Sequence, residues 1–88
     1  QFMPKVLADV LRKAPLTPEK VAFAWRAAVG PAMDHATTIE LQDRVLRVRV
    51  SDAAWQREIE RSIILIRARL DALLGHGVVR DVAVTRDT

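Results

Sequence analysis

Thr38-Ile39-Glu40-Leu41-Gln42-Asp43-Arg44-Val45-Leu46-Arg47-Val48-Arg49-Val50 is the stretch whose reading decides the fold. Ile39 and Leu41 alternate with Thr38, Glu40 and Gln42, which is the period of a half-buried strand. Leu46, Val48 and Val50 repeat the pattern with Arg47 and Arg49 between them. Asp43-Arg44 is too short for anything but a tight reversal, so the two strands form an antiparallel hairpin, although the usual turn glycine is missing. One face of that hairpin is apolar and needs a cover. The other carries two guanidiniums side by side.

The flanking segments supply the cover. Downstream, Ser51 or Asp52 caps a single long helix in which Trp55, Ile59, Ile63, Ile66, Leu70 and Leu73 follow spacings of 4, 4, 3, 4 and 3. Gly75-His76-Gly77 stops it, and Val78 to Arg86, with Val79, Val82 and Val84, reads as a last strand. Upstream, Thr17, Pro18 and Glu19 form an N-cap, a first-turn proline and a dipole-favourable carboxylate that launch a helix to about Val29. Its stripe is Val21, Trp25, Ala28 and Val29. Phe23 points roughly opposite, so this helix is expected to be central and covered on two sides. Gly30-Pro31 interrupts it, with room for an extra turn to His35. Before it, Val6, Leu7, Val10, Leu11 and Ala14 mark a short amphipathic helix between Pro4 and Pro15. The order α-α-β-β-α-β predicts an α+β fold, a three-stranded sheet covered on one face by helices, with the other face left to solvent or a partner. Trp25, Trp55 and Ile59 are expected in one core, and Gly30 at a structural break.

Composition narrows the possible functions. The chain has 88 residues, with 14 basic against 11 acidic side chains and half of its residues apolar. This describes one small domain. A chain this short hides only about 60 to 65% of the surface its unfolded form exposes, which leaves little room for a deep substrate cavity. With no cysteine, disulfide scaffolds, cysteine nucleophiles and thiolate zinc sites drop out. The longest purely apolar run, Ile63 to Ile66, is far short of the roughly 20 residues that span a bilayer, and no signal-peptide stretch is seen at the N-terminus. A soluble, cytoplasmic protein without a membrane partner is expected. Gln1 and Phe2 precede Met3, so residues 1–3 are expected to hold vector-derived residues and the native start, and 4–86 the single domain, which could also be cut from a longer protein. The net charge of +3 favours an anionic partner only modestly, but 11 of the 14 bases are arginine, the side chain suited to bidentate phosphate contacts.

Constellations that carry chemistry are scarce. His35 and His76 lie on different loops without metal-ligand spacing, so no metal and no cofactor are expected. Ser51 and Ser62 occupy cap-like or mid-helix settings without an oxyanion motif. Glu58 and Glu60, two apart on a helix, diverge by about 200° and cannot share one reacting bond. No phosphate-cradling glycine motif occurs. A non-enzymatic protein with no small-molecule substrate is the expectation. Two features remain. Arg47 and Arg49, about 7 Å apart along a strand, could hold two neighbouring phosphates, with Lys20 and Arg26 as further contributors. Pairing of both arginines with Glu40 or Asp81 is the plainer alternative. The second feature is the cluster of Arg57, Arg61, Ile64 and Ala68 opposite the Trp55 stripe. Like charges four apart repel, so this face makes sense if a partner, the first helix or further chain covers it.

The runs Trp25-Arg26-Ala27-Ala28-Val29-Gly30, His35-Ala36-Thr37-Thr38-Ile39-Glu40-Leu41 and Leu46 to Trp55, followed by Glu58-Ile59 and Leu70 to Gly75, resemble the DciA family from about Val21 to Val84. The resemblance implies a KH-like domain in a bacterial protein that assists loading of the DnaB-type replicative helicase. Such a protein has no ATPase of its own and binds both DNA, single-stranded or at a junction, and the helicase. Arg44 replaces the family's usual turn glycine, Thr38 stands where a proline is common, and no long tail is present. RNA-clamping KH domains use a G-x-x-G loop, whose nearest equivalent here is Gly30-Pro31-Ala32-Met33. Its second glycine is absent, Pro31 removes a backbone donor, and Met33 is expected to block close approach. A KH-like nucleic-acid-binding module, with RNA among its candidate ligands and without a helicase partner, is the alternative reading.

Overall fold

The two-residue reversal forms where the alternation requires it. In a computed structural model that describes residues 10 and 13–86, strands β1 (Thr37–Gln42) and β2 (Val45–Val50) pair antiparallel, with Gln42 opposite Val45 across the turn. Asp43 and Arg44 both take positive φ, 53° and 66°, as a turn matched to the strand twist demands. Aspartate visits this region readily, but arginine does so at a cost.

Contacts with the loop before the last strand offset that cost. The Arg44 side chain donates from Nε and Nη2 to the Gly77 carbonyl at 3.0 and 2.8 Å, and its own carbonyl accepts the Arg80 N–H at 2.7 Å. Gly77, at φ 84°, tolerates this approach, since a Cβ there would come within 3.3 Å of Arg44 Nη2. The hairpin turn thereby holds the start of β3 (Asp81–Arg86), which runs parallel to β2 with Val45 beside Asp81. The sheet is three-stranded and mixed, in the order β1-β2-β3.

Helices cover one face. Helix α1 (Pro18–Val29) is capped by Thr17, whose side chain accepts the Lys20 N–H at 3.1 Å, and it ends at Gly30 with φ 90°. The short α2 (Pro31–His35) is the expected extra turn. Trp25 is fully buried. Its indole Nε1 donates to Thr37 Oγ1 at 2.9 Å, and that hydroxyl donates to the Met33 carbonyl at 2.9 Å. The one polar atom of the largest core side chain is therefore satisfied within the chain. Leu46, Val48 and Val50 from the inner face of β2 join Val21, Ala24, Ala28, Ile59, Ile66 and Leu70 in one core, against which Trp55 is half-buried.

Two expectations need correction. The long third helix is two helices, α3 (Ala53–Arg61) and α4 (Ile63–Leu74), separated at Ser62 with φ −102° and ψ 12°. The break re-aims the apolar stripe, so that α3 packs on β2 and β3 whereas α4 packs on α1. Apolar spacing alone could not show it, because Ile59, Ile63 and Ile66 continue the stripe through the bend. Among the described residues, helix α1 is also not covered on both sides, since Phe23 is 46% exposed. A single stripe suffices because Ala24 and Ala28 are small and buried, and Arg69 Nη1 of α4 reaches across to the Ala28 carbonyl at 2.8 Å. Asp52, of the two candidate caps, starts α3 by accepting the Ala54 N–H. The helix expected between Pro4 and Pro15 lies largely outside the described residues.

The backbone cost at Arg44 has a measurable signature. Arg44→Ala removes the bonds to Gly77 and keeps the positive φ, whereas Arg44→Gly removes the bonds and the φ cost together. Urea unfolding should find Arg44→Ala less stable than Arg44→Gly by about 1 kcal/mol. Equal stabilities would show that the turn bears no backbone cost at this position.

Candidate nucleic-acid and partner interfaces

Strand alternation divides the sheet cleanly. Thr38, Glu40 and Gln42 of β1, Val45, Arg47 and Arg49 of β2, and Asp81, Ala83 and Thr85 of β3 share the outer face, away from the helices. In register, Arg47 lies between Glu40 and Ala83, and Arg49 between Thr38 and Thr85. These residues, with Ile39, line a shallow open groove. Both arginines are exposed. Among the described residues neither has an ion-pair partner, although Glu40 is the direct cross-strand neighbour of Arg47. Asp81 is engaged elsewhere: its Oδ1 lies 4.0 Å from Arg67 Nη1 and accepts the Val82 N–H at 2.9 Å. The two guanidiniums are thus exposed side by side on the outer face of β2, without a carboxylate partner among the described residues.

The other cationic candidates are not gathered at this groove. Lys20 is buried at 7% exposure, and its Nζ donates to the Ala14 carbonyl at 2.6 Å. Arg26 is exposed in the last turn of α1. Both stand on a helix of the covered side, and neither lines the groove around Arg47 and Arg49.

On the helical side, Arg57, Arg61, Ile64 and Ala68 are all exposed, and Ile64 is 83% exposed. Arg61 pairs with Glu58 one turn back. Leu65, at 53% exposure, stands beside Ile64 on α4 and was not singled out from the sequence, whereas Arg57 and Arg61 stand on α3, before the break at Ser62. Its position off the buried stripe, next to Ile64, is the signal that marks it. Ile59 is fully buried against the sheet, and Arg57 and Arg61, two residues to either side, therefore point away from it.

Gly30-Pro31-Ala32-Met33 is not a loop, since α2 begins at Pro31. Met33 is buried at 8% exposure, so it packs into the core rather than obstructing a ligand. The short helix and the missing Pro31 N–H are what set this segment apart from a phosphate clamp. Trp55 forms part of a neighbouring apolar notch with Val29, Ala32, Met33, Ala54 and Glu58. Among the described residues, no cluster of three histidine or acidic side chains could hold a metal ion. Nor is any helix long and apolar enough to cross a membrane.

A family model described as "Dna[CI] antecedent, DciA" matches residues 1–84. The chain belongs to the DciA family. It is 30% identical over 90 residues to a UPF0232 protein of Mycolicibacterium paratuberculosis, an alignment covering 97% of this chain and 50% of that protein. A UPF0232 protein of Mycolicibacterium smegmatis is 34% identical over 61 residues, 68% of this chain and 31% of its own length. One from Mycobacterium leprae is 29% identical over 93 residues, 100% of this chain and 49% of its own length. This DciA-family chain thus spans about half the length, or less, of these relatives.

The exposure of Ile64 sets an expectation for stability. Ile64→Asp should shift the unfolding free energy by no more than about 0.5 kcal/mol, as for other surface changes, whereas Ile59→Asp should abolish folding. Thermal and urea denaturation followed by circular dichroism checks both. A large loss for Ile64→Asp would place that residue in the core.

Proposed function

We propose that this DciA-family domain is a non-enzymatic adaptor of DNA replication that joins DNA to a DnaB-type replicative helicase and assists its loading. DNA phosphates are held on the outer face of the sheet by Arg47 and Arg49, and the helicase docks on the ridge of Arg57, Arg61, Ile64, Leu65 and Ala68. The replicative role rests on membership of the family. The division of labour rests on one observation: Arg47 and Arg49, exposed and without a carboxylate partner among the described residues, line one groove on the outer face of the sheet. Their separation along β2, about 7 Å, is close to that of neighbouring phosphates on one strand. Arg26 is a peripheral contributor in this reading. Lys20 has none of the exposure a phosphate contact needs, so it is left out.

On the helical side, the exposed apolar pair Ile64 and Leu65 on α4, with the exposed Arg57 and Arg61 in the helix before it, has the composition of an interface centre. The outer sheet face carries no aromatic side chain among the residues given above. DNA binding should therefore be tolerant of sequence and strongly salt-dependent, and weak for one module alone.

Titration of single-stranded DNA at several salt concentrations tests the first half. The double variant Arg47→Glu, Arg49→Glu should lose most binding. A neutral Arg47→Gln, Arg49→Gln pair should flatten the log–log salt slope by about 1.4 through two lost single-strand phosphate contacts. Wild-type affinity and slope in both would assign these arginines to the sheet alone. For the second half, Ile64→Asp should weaken binding to the purified replicative helicase without changing DNA affinity. Unchanged helicase binding would move the docking site off this ridge.

A further inference from the structure

The outer sheet face is not symmetric about its arginines. On the β1 side the neighbours of Arg47 and Arg49 are Glu40 and Thr38, and on the β3 side they are Ala83 and Thr85. Directly beside the two arginines, only the β1 flank carries a carboxylate; that of β3, Asp81, stands one outward position before Ala83 with its Oδ1 4.0 Å from Arg67 Nη1. Beside the arginines the β3 flank offers a methyl group and a hydroxyl, neither of which reaches far from the sheet. Carboxylates also stand at the turn end of the sheet, with Asp81 on this face and Asp43 in the turn itself.

Resting on the reading of this face as a nucleic-acid surface, we propose that the bound strand runs parallel to β2 along the β2–β3 side of the groove, over Ala83 and Thr85, with Glu40 as its boundary. Three physical points support that path. Arg47 and Arg49 are spaced along the strand direction, so successive phosphates align with β2 rather than across it. A phosphate on the β1 side would approach the Glu40 carboxylate, and at contact distances the repulsion survives physiological salt. On the β3 side Ala83 leaves space beside Arg47, and the Thr85 hydroxyl, in register with Arg49, can donate to the same phosphate oxygen that the guanidinium holds. Glu40 thereby acts as a positioning residue. It is not ion-paired with Arg47, and its role is to exclude anions from one flank.

The register supplies a mirror pair of variants. Thr38 and Thr85 are both exposed and both neighbour Arg49, one on each side. A glutamate at either position places the same charge beside the same arginine, but only one of them enters the proposed track. Fluorescence anisotropy with a labelled single-stranded oligothymidylate is the measurement, with folding of each variant checked by circular dichroism. Thr85→Glu should weaken binding about fivefold or more, and Thr38→Glu about twofold or less. Glu40→Gln should tighten binding about twofold, and Ala83→Glu should reproduce the loss if Thr85→Glu proves unstable. Equal losses for the two threonine variants, or a larger loss for Thr38→Glu, would overturn the track. So would wild-type affinity in Thr85→Glu and Ala83→Glu while Arg47→Glu, Arg49→Glu abolishes binding. Unimpaired binding by that arginine double variant would instead overturn the reading of the face itself, so the two failures are distinguishable.

Discussion

The register of β2 is the constraint on which the rest of the structure depends. Leu46, Val48 and Val50 face the core, and Arg47 and Arg49 face out, only because the reversal at Asp43-Arg44 closes on Gln42 and Val45. A slip of one residue would bury two guanidiniums and expose three apolar side chains. The hairpin turn opposes that slip on one side, and the bonds from Arg44 to the Gly77 carbonyl and from Arg80 to the Arg44 carbonyl oppose it on the other. One arginine in a conformation it disfavours thus coordinates all three strands.

The sequence carried most of the secondary structure because the signals were local. The alternation in β1 and β2, the Thr17-Pro18 start of α1 and the Asp52 cap each depend on neighbouring residues alone. The break at Ser62 was invisible for the opposite reason. A straight helix and a bent one share the same apolar spacing, and the bend answers to two different packing surfaces, the sheet and α1. Phe23 misled in a similar way, since a large apolar residue off the stripe implies a second cover only if it is buried. In the candidate sites, period two put Arg47 and Arg49 outward, and helical period put Ile64 outward. The fate of Lys20 was not legible. It depends on where the chain before α1 places the Ala14 carbonyl, which no spacing within α1 encodes.

Net charge is a poor guide to which arginines are available in this domain. Arg44, Arg67 and Arg69 donate to backbone carbonyls of Gly77, Arg80 and Ala28, each outside the arginine's own element or turn. Their five-donor forks act as staples between segments, which a small domain with a limited core can use. Arg61 is engaged by Glu58. Arg47 and Arg49 are set apart by geometry rather than by number, because the central strand surrounds them with short side chains and a single carboxylate that does not reach them.

The placement of exposed arginines on both layers of the domain also bears on thermodynamic linkage. Arg57 and Arg61 project from the helical layer, and Arg47 and Arg49 from the opposite side of the same core, with Ile59 and Val48 buried between them. The two surfaces share no residue. In the proposed reading, DNA and helicase therefore do not compete for a shared surface. The domain can then occupy a ternary complex, and where the two ligands do not touch one another any coupling of their affinities is carried by the domain itself.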